Sequence, residues 1–187
     1  MVHSIMKIKI FSLVCICLFL SACRVPGLEF VVEKLAGPGE CFNRGNSAII
    51  DFGDCALEAS ATGQPAKFRL SVKMESKGDS AIELDLNSIM IMNGVQEKFW
   101  PGFSKRAVTV HSAAKGKSVS FFVDFEVNLL NEKYMAYIPF KNTDTGQERS
   151  AVIHFRADSA TYRKFMDKFM NLSKDRQAEL LAYLKSQ

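Results

Sequence analysis

Strict alternation of apolar and polar residues constrains this chain more than any other feature. Lys67-Phe68-Arg69-Leu70-Ser71-Val72-Lys73-Met74-Glu75 alternates without a fault. Successive side chains of a strand point to opposite faces, so this pattern is a half-buried strand with Phe68, Leu70, Val72 and Met74 inward. Val119, Phe121, Val123, Phe125 and Val127 repeat the period, with Asp124 and Glu126 on the other face. Phe122 interrupts that polar face and is expected to need cover. Ile82, Leu84 and Leu86 alternate against Glu83 and Asp85.

Turn residues punctuate these runs. Leu28 to Leu35 reads as a first strand, broken by Gly37-Pro38-Gly39. Ile49 to Phe52 is a short strand before the turn Gly53-Asp54, and Gly63-Gln64-Pro65 is a loop. Ile89 to Met92 ends at Asn93-Gly94, a favoured hairpin turn, after which Gln96 to Trp100 pairs back. Val108 to His111 is a brief strand. Tyr134 to Phe140 and Arg149 to Arg156 are two more, joined by the loop Asn142-Thr143-Asp144-Thr145-Gly146. Eight to ten short strands at this spacing predict an antiparallel β-sandwich, immunoglobulin-like in outline. The Cys…Trp…Cys spacing of true immunoglobulin domains is absent, because Trp100 follows Cys41 and Cys55.

The period changes after Ala157. Tyr162, Phe165, Met166, Phe169 and Met170 recur at helical spacing, with Asp158 or Ser159 able to cap the start. Ser173 can cap a second helix, one side of which carries Ala178, Leu181 and Ala182. The expected organisation is a sandwich over residues 28–157 with a pair of helices, residues 158–187, packed on it.

The first residues carry an address. Lys7 and Lys9 form a basic head, and Ile10 to Leu20 is an apolar run broken only by Ser12. Eleven residues are too few to span a bilayer, which takes about 20, but they suit the core of a secretory signal. Leu20-Ser21-Ala22-Cys23 resembles the lipobox of bacterial lipoprotein precursors. The resemblance covers only the first 23 residues. It implies cleavage before Cys23 and acyl chains on its sulfur and amine, hence membrane attachment through Cys23. Arg24 stands where an Asp commonly retains Gram-negative lipoproteins at the inner membrane, so the resemblance favours an outer-membrane anchor facing the periplasm. The alternatives are a secreted protein cleaved after Ala22 and an uncleaved buried helix. Residues 1–5 add nothing to the signal, and Met6 is a candidate start. Residues 23–27 then form a short tether, about 17 Å when extended.

Cleavage would leave 165 of the 187 residues, enough for one domain with its own core. Lys7 and Lys9 leave with the signal, so the formal net charge of +4 becomes +2. So small an excess argues against a nucleic-acid partner. Cys15 and Cys17 leave as well. Cys41 and Cys55 remain, and in an oxidising compartment they are expected to form a disulfide. Free thiols and a metal pair are the alternatives, the latter poor because no His lies nearby to complete four ligands.

Motifs for chemistry are scarce. No G-x-S-x-G, H-E-x-x-H, P-loop or dinucleotide-binding glycine pattern occurs. His111 and His154 sit on strands and are expected on solvated faces. Glu83/Asp85 and Asp124/Glu126 share a strand face and are expected to be solvated, a cation site or an acid–base pair being the alternative, and Asp51/Asp54 fall short of the six to eight oxygens of a calcium site. No catalytic residue, metal or cofactor is implied. The most distinctive segment is Lys98 to Arg106, where Phe99, Trp100 and Phe103 lie with Lys105 and Arg106 around Pro101-Gly102. It either plugs one end of the sandwich or forms a loop that touches lipid headgroups or a protein partner. The expected role is a non-enzymatic, lipid-anchored envelope protein acting as an interaction or assembly module, with an envelope protein as the candidate partner. A module binding a small ligand or polysaccharide is the alternative.

Overall fold

A computed structural model describes residues 27–79, 81–102, 110–128 and 130–186. The chain is mainly β, all its strand pairs are antiparallel, and two helices close it. The strands are β1 (Leu28–Ala36), β2 (Glu40–Asn43), β3 (Ser47–Asp51), β4 (Cys55–Gln64), β5 (Lys67–Ser76), β6 (Ile82–Asp85), β7 (Met90–Asn93), β8 (Lys98–Phe99), β9 (Val110–Ala113), β10 (Ser118–Glu126), β11 (Lys133–Asn142) and β12 (Glu148–Ala157). The helices are α1 (Ser159–Met170) and α2 (Lys174–Ser186).

The hydrogen-bonded order is β10-β5-β4-β1-β12-β11-β6-β9, with β3 and β2 beside β4, and β7 and β8 beside β11. Four strand spacings separate β5 from β11 along this path, roughly 19 Å in a flat sheet. Yet the rings of Phe68 on β5 and Tyr134 on β11 lie 4.4 Å apart between centroids. The sheet is therefore folded on itself, with β1 shared: Leu28 and Glu29 pair with β4, and Phe30 to Ala36 with β12. A bulge between Val32 and Lys34 falls within this shared strand. Phe30, Phe68, Phe125, Tyr134 and Phe155 meet between the two halves. Such ring pairs each add about 0.5–1.5 kcal/mol beyond their burial.

The alternating residues of β5 and the inward residues Val123, Phe125 and Val127 are buried as the period requires. Two strands escape the sequence reading. β2 is short and exposed throughout. β4 buries Cys55, Leu57, Ala59, Ala61 and Gly63, alternating like any other strand but with side chains too small to signal one. Gly63 is small for a reason. A Cβ there would stand 2.6 Å from the Leu130 side chain, which is buried against it. The Asn93-Gly94 turn is present, but its loop runs to Glu97, and only Lys98 and Phe99 pair back. Asn93 holds it, its Oδ1 accepting from the N–H groups of Val95 (3.1 Å) and Glu97 (2.9 Å).

Helix α1 begins as expected, with Asp158 accepting from the Thr161 N–H at 2.8 Å. Phe165 and Phe169 are buried, Tyr162 and Met166 half-buried, and Met170 exposed. Tyr162 donates from its hydroxyl to the Leu130 carbonyl at 3.0 Å. The helix does not cover Phe122, which remains 59% exposed. That ring is instead partnered by the Arg69 guanidinium, 4.4 Å from its centroid. Ala178 and Ala182 of α2 are exposed.

Candidate interaction surface

Each outer face of the folded sheet is set by the residues alternating against the core. On one half, β7, β11 and β12 pair in register: Met92 faces Met135, which faces His154, and Met90 faces Tyr137, which faces Val152. The neighbours Ile91, Ala136, Ile138, Ala151 and Ile153 point inward and are buried. Met90, Met92, Met135, Tyr137 and Val152 therefore stand together on the outer face, each half-buried. Phe99 pairs with Ile91 and packs on the core, which turns its neighbours Lys98 and Trp100 to the outer side. Trp100 is 57% exposed.

Charge rims this apolar face. At one border Glu33 meets Arg156 at 3.4 Å and Lys133 at 3.9 Å. At the other, Lys141 meets Glu83 at 2.7 Å. Tyr137 also lines an open cleft of about 440 Å³ with Pro139, Glu83, Asp85, Lys141 and Arg149. Glu148 lines it too, and four of its charged groups are engaged with protein. Glu83 is held by Lys141, Arg149 pairs with Asp54, and Asp85 Oδ1 accepts from the Asn87 N–H at 3.0 Å. Burial pushes the Asp54 carboxyl up, but the Arg149 hydrogen bond and charge prevail and hold it below its ordinary value.

The sequence-derived residues fall in different places. Cys23 lies outside the described residues, as do Phe103, Lys105 and Arg106. Trp100 is on the rim of the Met–Tyr face, whereas Phe99 belongs to the core margin. The expected Cys41–Cys55 disulfide is corrected: both cysteines are free. Strand β3 lies between β2 and β4, with Cys41 opposite Ile50 and Ile50 opposite Leu57. Two strand spacings, about 10 Å, plus a two-residue offset exceed the roughly 7 Å Cα separation that a disulfide spans. Cys41 is exposed and Cys55 is buried, its thiol pushed up to about 12 by burial and by the Asp54 charge.

The acid pairs are likewise apart in role. Asp51 pairs with Lys77 and Asp54 with Arg149, while Asp124 accepts two hydrogen bonds from Arg69 at 2.7 and 2.8 Å. His111 stacks on Phe121, centroids 5.0 Å apart, and His154 is half-buried on the Met–Tyr face. No group of three or more His, Cys, Asp or Glu could hold a metal among the described residues. The sequence reading missed the Met–Tyr face itself. Its signal was available: Tyr134 to Phe140 and Ile89 to Met92 are apolar on both faces, where a half-exposed antiparallel strand would alternate.

No family model matches the chain, and no curated protein matches it. Among solved structures it is similar to the yjhA protein from Bacillus subtilis, with 16% identity and a TM-score of 0.34 over 54% of this chain and 77% of that one. It is also similar to the Northeast Structural Genomics Consortium target SoR45, with 9% identity and a TM-score of 0.34 over 66% of this chain and 83% of that one.

Proposed function

We propose that the chain is a lipid-anchored envelope protein that acts as a non-enzymatic interaction module, holding a protein partner on the outer face of β7, β11 and β12. The observation that carries this reading is the apolar surface of Met90, Met92, Met135, Tyr137 and Val152 with Trp100 at its edge. A contiguous apolar area rimmed by charge is characteristic of protein interaction sites. Methionine is suited to such a face because its flexible, polarisable side chain moulds to a partner. Trp and Tyr supply large contact area at small entropic cost.

The alternative, a module for a small ligand or polysaccharide, would use the cleft beside Tyr137. Glu83, Lys141, Arg149 and Asp85 there are already partnered within the protein, which favours the first reading. The anchor belongs to the same proposal and rests on Lys7, Lys9, the apolar run and Leu20-Ser21-Ala22-Cys23. Outer-membrane placement is supported by the lipoprotein resemblance, since Arg24 stands where an Asp commonly retains such proteins at the inner membrane.

A photo-crosslinking side chain placed at Met92 or Tyr137 in the native envelope tests the reading. Discrete protein adducts are expected from both positions and none from Ser60 or Ser71 on the opposite outer face. Adducts from neither position, or equal adducts from both faces, would overturn it. Separately, wild-type protein should carry acyl mass on Cys23 and fractionate with membranes, and Cys23→Ala should carry none.

A further inference from the structure

The body has two distinct ends, and the chain enters at one of them. Gly27 sits beside the Gly63 carbonyl, and Leu28 pairs with Gly63. Leu130 packs on Gly63, and its N–H donates to the Pro65 carbonyl at 2.8 Å. The register carries this end across the other half: Phe30 is opposite Ala157, Lys133 opposite Arg156, and Tyr134 opposite Asn93. Helix α1 starts directly after Ala157 and is tied to this end by Tyr162 on the Leu130 carbonyl and Ser159 on Glu132, 2.6 Å. The 94–97 loop, with Val95 exposed, belongs to it too.

We infer that this end is a membrane-facing surface, on which Arg163, Lys164 and Lys168 of α1 contact the anionic headgroups of a phospholipid bilayer. The inference rests on the lipid-anchor reading. Acyl chains on Cys23 would be about five residues from Leu28, a reach of no more than about 17 Å. The end where β1 begins is therefore held at the bilayer, and α1 starts at that end.

The charges fit that position. Phe165 and Phe169 are buried, so α1 exposes Arg163 and one acid, Asp167, on the side opposite them, with Lys164 and Lys168, four residues apart, along one flank. Among the described residues, no ion pair involves any of these three cations. At the other end Lys77, Arg149 and Lys141 are ion-paired, with Asp51, Asp54 and Glu83, whereas Lys115 and Lys117 of the β9–β10 turn are in no ion pair among the described residues. Met170, seven residues after Arg163, lies on the same side of α1 and is 61% exposed. A cationic helix face with an exposed apolar residue suits the headgroup layer. Each basic residue near an anionic surface adds attraction that salt screens.

The test uses the native acylated protein reconstituted into two kinds of vesicle, phosphatidylcholine alone and phosphatidylcholine mixed with phosphatidylglycerol. Lysines are acetylated with a water-soluble reagent, and the modified sites are read by mass spectrometry together with the acyl mass on Cys23. On the mixed vesicles, Lys164 and Lys168 are expected to react roughly tenfold more slowly than in detergent, an effect lost at high salt. Lys73 and Lys115 should not change. Acylated protein whose Lys164 and Lys168 react as fast as in detergent would overturn the inference and leave the anchor intact. Equal protection on both kinds of vesicle would overturn the anionic recognition. Absence of acyl mass on Cys23 would overturn the anchor reading and this inference with it.

Discussion

The two outer faces of the folded sheet are built by the same alternation from different residues. On β4, β5 and β10 the outward positions are Glu58, Ser60, Thr62, Arg69, Ser71, Lys73, Asp124 and Glu126, with Ala56 and Phe122 the apolar exceptions. Opposite charges face each other across strands, Lys67 with Glu126, Arg69 with Asp124 and Glu58 with Lys73. Even Phe122 lies under Arg69. On β7, β11 and β12 the central outward positions are Met90, Met92, Met135, Tyr137 and Val152 with His154 beside them, and the charged Lys133, Lys141, Glu148 and Arg156 lie toward the strand ends. Folding requires only the inward set, so both faces satisfy the fold equally. The difference shows what one half carries beyond the needs of its core.

The largest effects should therefore come from the shared core. Phe68 is fully buried and touches Phe30, Phe125, Tyr134 and Phe155. Phe68→Ala should cost about 3–5 kcal/mol, as should Phe165→Ala beneath α1. Denaturant unfolding measures both. A cost below about 1 kcal/mol for Phe68→Ala would mean that the two halves do not share one core, and the comparison of their outer faces would lose its basis.

Gly63→Ala ranks next. The added methyl meets Leu130 and the Phe30 ring, both buried, so overpacking should cost about 1–3 kcal/mol. The same substitution at Gly102, where nothing lies within 4 Å of the added Cβ, gives the control for the methyl itself.

Acid should act through depressed carboxyls. Lys77 and the Gly53 N–H hold Asp51 below its ordinary 3.8, and Arg149 does so for Asp54 against the cost of burial. A carboxyl depressed in the folded state contributes stability that is full above its unfolded pKa and lost as pH falls through the folded value. Stability from these two groups should hold above about pH 5 and fall below 3.8. Asp54 joins the β3–β4 turn to β12, so Arg149→Ala should flatten the acid transition. Urea midpoints measured across this range give the result. The free thiols add a check on the same region: Cys41 should react promptly with a thiol reagent at neutral pH, and Cys55 only on unfolding.

Much of the sandwich is legible from alternation, because a single buried face imposes period two on β5 and β10 whatever the other face does. β4 is obscured because Ala and Gly fill its inward positions, where larger neighbours such as Leu130 and Phe30 already occupy the space. The cysteine pair misleads for a topological reason. Separation along the chain favours a bridge, but β3 inserts between β2 and β4 and holds the thiols apart. The Met–Tyr face is assembled from three strands, so no one stretch contains it. Its trace was the loss of alternation in Tyr134 to Phe140 and Ile89 to Met92, which reads equally as a strand buried on both sides. Phe122 shows the converse error. A lone aromatic on a polar face suggested a need for cover, where a neighbouring arginine suffices.

The smallest stability effects should separate the faces most sharply. Phe122→Ser removes an exposed ring stacked under Arg69, a contact worth about 0.5–1 kcal/mol at an exposed site. The Arg69–Asp124 pair survives it, so stability should fall by no more than about 1 kcal/mol. Tyr137→Ser on the other half removes a half-buried ring and should cost about 1–2 kcal/mol. By thermal melting the two variants should differ by only a few degrees. In the envelope they should differ: with the crosslinker at Met92, Phe122→Ser should leave the adducts unchanged and Tyr137→Ser should deplete them. If the Met–Tyr face were only a surplus of apolar residues, neither substitution would alter crosslinking. If the partner bound the charged face, the ranking would invert. Stability alone cannot distinguish these outcomes, because the fold requires neither side chain.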